Sequence, residues 1–216
     1  MLLATRCAAC DRPGASPCPS CHGALGPPAP EPDPPGVNGL IALLRYDGPA
    51  RALVARIKYR NQRQVVAWLA DGLAAQVRDA AIELVTWAPT TGEHRRRRGF
   101  DHGEVLARAV ARRLGVPTRA LLRRVEGPAQ TGRPASERRS AGPVFTPRRR
   151  LAPGTRVLVV DDVVTTGTTL RAAVAALRRA GAVVVPAAAA RTPSRRAPAA
   201  PGTPPGQPVY HRLPRA

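Results

Sequence analysis

Arg156-Val-Leu-Val-Val-Asp-Asp-Val-Val-Thr-Thr-Gly-Thr-Thr-Leu170 decides the reading of this chain. Val157 to Val160 is a short apolar, β-branched run, the pattern of a buried strand. Two acids follow, Asp161 and Asp162, and then a small hydroxylated loop, Thr165-Thr166-Gly167-Thr168-Thr169. Beyond it, Leu170, Val174 and Leu177 recur at helical spacing. The unit is therefore strand, acids, Thr/Gly loop and helix. Its loop lies at a helix N-terminus, where backbone N–H groups lack partners and the dipole favours an anion. Gly167 permits close approach of the backbone, and the threonine hydroxyls add donors. The carboxylates can accept bonds from the vicinal hydroxyls of a ribose, as acids after a dinucleotide-binding strand do. The expectation is a site for a sugar phosphate.

Four apolar residues, two acids, two variable residues and Thr-Gly-Thr-Thr resemble the phosphoribosyl pyrophosphate (PRPP) motif of type I phosphoribosyltransferases. A P-loop is excluded, because no Gly-Lys-Ser/Thr sequence occurs.

Elsewhere strands and helices alternate. Strands are expected at 39–46, 83–87, 120–125 and 182–190, and helices at 50–59, 65–77 and 101–114, with Asp47-Gly48 as a hairpin or tight turn. This alternation predicts an α/β fold, a parallel sheet with helices on both faces, and a site at the carboxyl ends of its strands. The 216 residues suffice for one such domain and an appendage. The expected division is a knuckle at 1–25, a proline-rich linker at 26–37, the α/β domain at 38–191 and a disordered basic tail at 192–216. Six prolines between 26 and 36 support an extended linker.

All four cysteines lie at the start, as Cys7-Ala-Ala-Cys10 and Cys18-Pro-Ser-Cys21. Two CxxC pairs at this spacing predict a tetrahedral four-thiolate zinc site of structural type, with His22 adjacent. No apolar run reaches the roughly 18 residues of a membrane helix, and the start lacks a signal-peptide core. The cytoplasm is the expected compartment, which disfavours disulfides.

The formal net charge is +20, and of 34 basic residues Lys58 is the one lysine. Such charge attracts nucleic acid, pyrophosphate or anionic surfaces. With Trp 2, Tyr 3 and Phe 2, a base-stacking platform is poorly supplied. Arg95-Arg-Arg-Arg98 follows the strand ending at Pro89 and reads as an anion site, a solvated basic loop or a nonspecific nucleic-acid patch. The polar stretch 126–142 reads as a lid over charged substrate or as a disordered connection.

Taken together, these features resemble the ComF-like competence proteins, a branch of the phosphoribosyltransferases. The four-cysteine finger, Ile57-Lys58-Tyr59, Arg98-Gly99-Phe100-Asp101-His102, the segment from Gln130 and Arg133 through Arg138 or Arg139 to Phe145, and Val160 to Thr169 carry the likeness. Asp101-His102 stands where the family has Asn-Gln, and Ala141-Gly142 lacks the usual Asn. The resemblance implies transfer of ribose 5-phosphate from PRPP, with Mg²⁺ on the pyrophosphate. Thr165, Thr166, Gly167, Thr168 and Thr169 would hold the 5′-phosphate, and Asp161 and Asp162 the ribose hydroxyls. Ala88, Pro89 and Thr90 would form the pyrophosphate loop, assisted by Lys58 and Arg98. Gln130, Arg133 and Arg138 would belong to the lid. The competing expectation is a non-catalytic PRPP or nucleotide sensor that binds single-stranded DNA within a competence machinery.

Overall fold

The computed structural model describes residues 6–57, 63–93, 96, 99–125 and 142–193. Lys58, Arg98, Gln130, Arg133, Arg138 and the tail beyond 193 lie outside them. In chain order the elements are α1 (Pro19–Gly23), β1 (Ile41–Arg45), α2 (Gly48–Arg56), α3 (Arg63–Gln76), β2 (Leu84–Trp87), α4 (His102–Leu114), β3 (Leu122–Val125), β4 (Val144–Pro147), β5 (Arg156–Val164), α5 (Thr168–Arg179) and β6 (Val183–Arg191).

Four strands form one sheet in the order β1-β6-β5-β2, and every pairing in it is parallel. Each strand must therefore be followed by a crossover, and helices supply it. Alternate residues of β5 enter different cores, as a period of two requires. Leu158 and Val160 join α2, α3 and α4 on one face. Val157 and Val159 join α5 and Phe145 of β4 on the other. The sheet is thus covered on both faces, as expected. At roughly 25 cal/mol per Å² of apolar surface, this two-sided burial is the main favourable term holding the strands in register.

Central β6 contains a proline, which removes a ladder donor. Pairing with β1 begins only at Ala187, so Pro186 faces β5 alone. The small side chains of Ala187 to Ala190 are fully buried between the helical layers.

Four expectations need correction. The acids do not follow the strand. β5 continues through Asp161 and Asp162 to Val164, because β6 goes on offering partners: Asp161 pairs with Ala188 and Val164 with Arg191. Asp47-Gly48 is not a hairpin turn. Asp47 precedes α2, with Pro49 in its first turn, and its carboxylate pairs with Arg45. A second, two-stranded antiparallel sheet, β3–β4, was not foreseen. Val-Phe-Thr-Pro is too short to show a period, and only its pairing with β3 makes it a strand.

The fourth correction concerns the N-terminal 40 residues. The proline-rich stretch expected as a free spacer is docked on the domain. Val37 is fully buried in the α5-side core, and Pro34 is buried as well. The knuckle is docked too. Ala8 belongs to the main core, and His22 meets the Trp68 ring edge-on at 5.8 Å. No helix among the described residues is long and apolar enough to cross a membrane.

Candidate functional site

At the carboxyl end of β5 the chain must turn into α5 without burying unpaired N–H groups. Gly167 occupies the N-cap position at φ 74°, a left-handed conformation that suits glycine, and makes no side-chain cap. Among the described residues no side chain caps the first-turn N–H groups of α5, which are open to an anionic partner. The Thr166 and Thr168 hydroxyls lie 2.8 Å apart across the loop. Residues Val163 to Leu170 with Asp161 enclose a small cavity of about 30 Å³.

Beside it opens a cleft of about 170 Å³ lined by Ala88, Pro89, Thr90, Asp101, His102, Gly103, Arg124, Asp161, Asp162, Val163 and Thr169. The two cavities share Asp161, Val163 and Thr169. An elongated ligand can thus place an anionic end on the loop and its body over the acids. The expected loop (Thr165–Thr169), the acids (Asp161, Asp162) and the Pro89-Thr90 turn are brought together here. A larger cavity of about 430 Å³ lies away from this chemistry, between α3 and α4 at Asp71, Arg78 and Arg113.

Asp101 holds the two sides of the cleft together. It is 4% exposed. Its Oδ1 accepts the Gly103 N–H at 3.0 Å, an N-cap bond of α4. Its Oδ2 accepts the Thr90 N–H at 2.9 Å. Both carboxylate oxygens are in use, which explains an acid at a position where Asn would offer only one acceptor. Its neighbour His102 places Nε2 3.1 Å from Asp162 Oδ2.

The acids also accept from the backbone of their own strand. Asp162 N–H donates to Asp161 Oδ1 at 2.9 Å, and Val163 N–H to Asp162 Oδ1 at 2.8 Å. Burial, followed by the adjacent charge of Asp162, pushes the Asp161 carboxyl well above the ordinary range, and Asp101 adds to the effect. A bond from the Asp162 N–H opposes the shift without cancelling it. The cleft floor thus carries two adjacent carboxyls, Asp161 and Asp162. Sugar hydroxyls and a hard cation such as Mg²⁺ are the partners that paired carboxyl oxygens accept.

Arg124 was not singled out from the sequence. It sits on β3, directly opposite Phe145 in register, with its guanidinium 5.8 Å from the ring centre. It reaches the cleft wall. In a chain with this many arginines, sequence gave no signal that distinguishes it; only the β3–β4 pairing aims it.

The knuckle is a separate cluster. The ligand atoms of Cys7, Cys10, Cys18 and Cys21 all lie within 4.8 Å of one another, and none is in a disulfide. Cys10 Sγ and Cys18 Sγ are 3.7 Å apart. A tetrahedral zinc with bonds of about 2.3 Å requires sulfurs about 3.8 Å apart, so the cluster fits the ion. Burial would raise the Cys7 thiol, but N–H bonds from Cys18, Cys10 and Ala9 outweigh it and bring it down to about 6. Burial, reinforced by the neighbouring thiols, pushes Cys21 up to about 12. All four can be thiolates at once only with a cation between them.

Several solved structures are similar in part. The glutamine PRPP amidotransferase from B. subtilis, complexed with ADP and GMP, shares 22% identity over 62% of this chain and 30% of that one, with a TM-score of 0.42. The present chain therefore spans about a third of that protein. A purine phosphoribosyltransferase from Pyrococcus horikoshii Ot3 shares 18% identity over 71% of this chain and 88% of that one, TM-score 0.41. The adenine phosphoribosyltransferase from Leishmania tarentolae shares 22% over 63% and 60%, TM-score 0.42. No curated protein matches the sequence. Residues 101–199, from the α4 cap through the loop and β6, match the model of the phosphoribosyl transferase domain. That match covers the strand, acids and Thr/Gly loop, and the parallel sheet with its two helical layers is the type I phosphoribosyltransferase fold.

Proposed function

We propose that this protein binds PRPP or a nucleotide and transfers ribose 5-phosphate to a nitrogenous base. The observation that carries the proposal is the shared wall of the two cavities, which joins the anion-binding loop to the acids and to Thr90. The 5′-phosphate sits on Thr165–Thr169, and the ribose hydroxyls meet Asp161 and Asp162. The pyrophosphate points to Ala88-Pro89-Thr90, with Lys58 and Arg98 as further cations. In transfer the bond from ribose C1 to pyrophosphate breaks, a bond from C1 to the base nitrogen forms, and Asp162, on the cleft wall, takes the proton of that nitrogen. Pyrophosphate is the leaving group, and a bound Mg²⁺ would neutralise its charge. The protein contributes position and charge at an oxocarbenium-like centre, so no protein nucleophile is required.

One observation favours a second reading. His102 occupies an oxygen of Asp162, so the sugar must share that acid or displace the imidazole. This suits a protein that senses PRPP or a nucleotide without turnover. A ComF-like role in DNA uptake belongs with that reading, and the net charge of +20 suits single-stranded DNA as its partner.

The test measures pyrophosphate release from PRPP and Mg²⁺ across a panel of bases, beside PRPP affinity and salt-dependent DNA retention. Base-dependent release supports transfer. Tight PRPP binding without release, with DNA retention falling steeply in salt, supports sensing. Failure to bind PRPP or any ribose 5-phosphate overturns both readings.

A further inference from the structure

The outer side of the phosphate loop is closed by a segment more than 130 residues away in sequence. Pro34 lies directly on Gly167: a Cβ there would run into the proline ring, whose Cγ would be 2.8 Å away. Two residues on, Gly36 abuts the Arg171 side chain in the first turn of α5, where an added Cβ would lie 3.0 Å from Arg171 Cγ. The strap Glu31–Val37 is pinned from below by Arg191, the last residue of β6. Arg191 donates to the Glu31 carbonyl at 3.3 Å and to the Pro32 carbonyl, and it faces Glu31 Oε1 at 3.6 Å and Asp33 Oδ1 at 3.8 Å. Its side chain and that of Glu31 are only 11% and 10% exposed. Asp33 also accepts the N–H groups of Gly39 and Leu40 at 2.7 and 3.2 Å, and the Val37 N–H returns to the Pro34 carbonyl at 2.9 Å. The strap is a closed turn, fixed at both ends.

Arg191 is paired in the sheet with Val164, the residue before the loop, and Thr192 N–H donates to the Val164 carbonyl at 2.9 Å. One short stretch of β6 thus holds the loop's entry through its backbone and the loop's outer cover through its side chain. A planar fork with five donors can serve two carbonyls and two carboxylates from one place, which an ammonium cannot.

We propose that Arg191 and Pro34 are positioning residues for the phosphate loop. The strap walls off the outer face of Gly167, holds the first-turn N–H groups of α5 convergent, and leaves the cleft as the entry for the phosphate end of the ligand. The ligand assignment rests on the phosphoribosyl reading above; the positioning of the loop does not.

The test uses the full chain and two variants, Arg191→Gln and Pro34→Gly. Arg191→Gln removes the anchor of Glu31, Pro32 and Asp33. Pro34→Gly removes the wall alone and guards against a folding failure in the first. Hydrogen exchange of the Arg171 amide, which donates to the Gly167 carbonyl of the loop at 2.8 Å, is read without ligand, and ribose 5-phosphate affinity by calorimetry. Both variants are expected to speed Arg171 exchange about ten-fold, to leave the α4 amides at wild-type protection, and to weaken ribose 5-phosphate about ten-fold. If the Gly39 and Leu40 amides, which bond Asp33 of the strap, are deprotected while the Arg171 amide keeps wild-type exchange, the proposal is overturned. If the Arg171 amide responds but wild-type protein does not bind ribose 5-phosphate, the positioning role stands and the phosphoribosyl reading falls.

Discussion

The four-cysteine knuckle and the phosphate cleft are both tight clusters of groups that want an ionic partner, and they are built in opposite ways. The knuckle draws its four ligands from 15 consecutive residues, Cys7 to Cys21. Its geometry is a property of two short turns, and an ion held between them would supply its stability. The cleft draws Thr90, Asp101, Asp162 and Thr169 from three separate segments spread over 80 residues. No local turn brings these together; the parallel pairing of β2 with β5 does. A local site depends on its ligand, whereas a distributed site depends on the core. Substitutions in the two regions should therefore fail in different ways.

The largest effect is expected at the knuckle. Cys18→Ser removes a buried ligand, and structural zinc contributes on the order of 10 kcal/mol to the fold of such a site. Metal analysis should fall from about one zinc per chain to near zero. Because Ala8 is packed in the main core and His22 against Trp68, the melting temperature of the whole domain should drop as well. An unchanged melting curve in metal-free protein would show that the docking contributes nothing and restore a picture of two independent cores.

Gly167→Val attacks the cleft instead. It puts a β-branched residue at φ 74° and drives its Cβ into Pro34. A cost of about 3 kcal/mol is expected from strain and displacement. The thermal shift on adding ribose 5-phosphate should vanish while bound zinc stays at the wild-type level. Retention of that shift would mean the loop is not the anion site.

Asp101→Asn is nearly isosteric but leaves one of two N–H groups, Thr90 or Gly103, without its acceptor. A loss of about 1–2 kcal/mol follows from an unsatisfied buried donor. PRPP affinity should fall more than ribose 5-phosphate affinity, since the Thr90 turn faces the pyrophosphate in the proposed pose. Equal losses would confine Asp101 to capping α4.

The smallest effect has the opposite sign. Asp161 has its carboxyl raised by burial and by Asp162, so the folded state resists its ionisation. That penalty is absent below the ordinary carboxylate range and complete above the raised value, so it grows as pH rises between them. Asp161→Asn should stabilise the unliganded protein at neutral pH by about 1 kcal/mol, as removing a strained site residue commonly does. The advantage should shrink towards acid, and PRPP binding should weaken. A variant less stable than wild type at neutral pH would contradict the unfavourable placement of this charge.

What sequence alone determined was whatever depends on near neighbours. The CxxC pairs, the strand–loop–helix order around Gly167 and the helical faces of α4 and α5 are all set within some 15 residues, by turn geometry and apolar period. The alternation of strands and helices also foretold a parallel sheet with two covered faces. Tertiary structure decided everything that required a partner from far along the chain. It extended β5 through both acids because β6 runs beside them. It made β4 a strand by pairing it with β3, and so aimed Arg124. It joined Asp101 to Thr90 and His102 to Asp162 across the cleft. It also turned a proline-rich stretch into a wall, because Arg191 and Gly167 offered it donors and a bare backbone to lie on. The physical reason is the same in each case: a hydrogen bond or a packed face is fixed by both partners, and a sequence window displays only one.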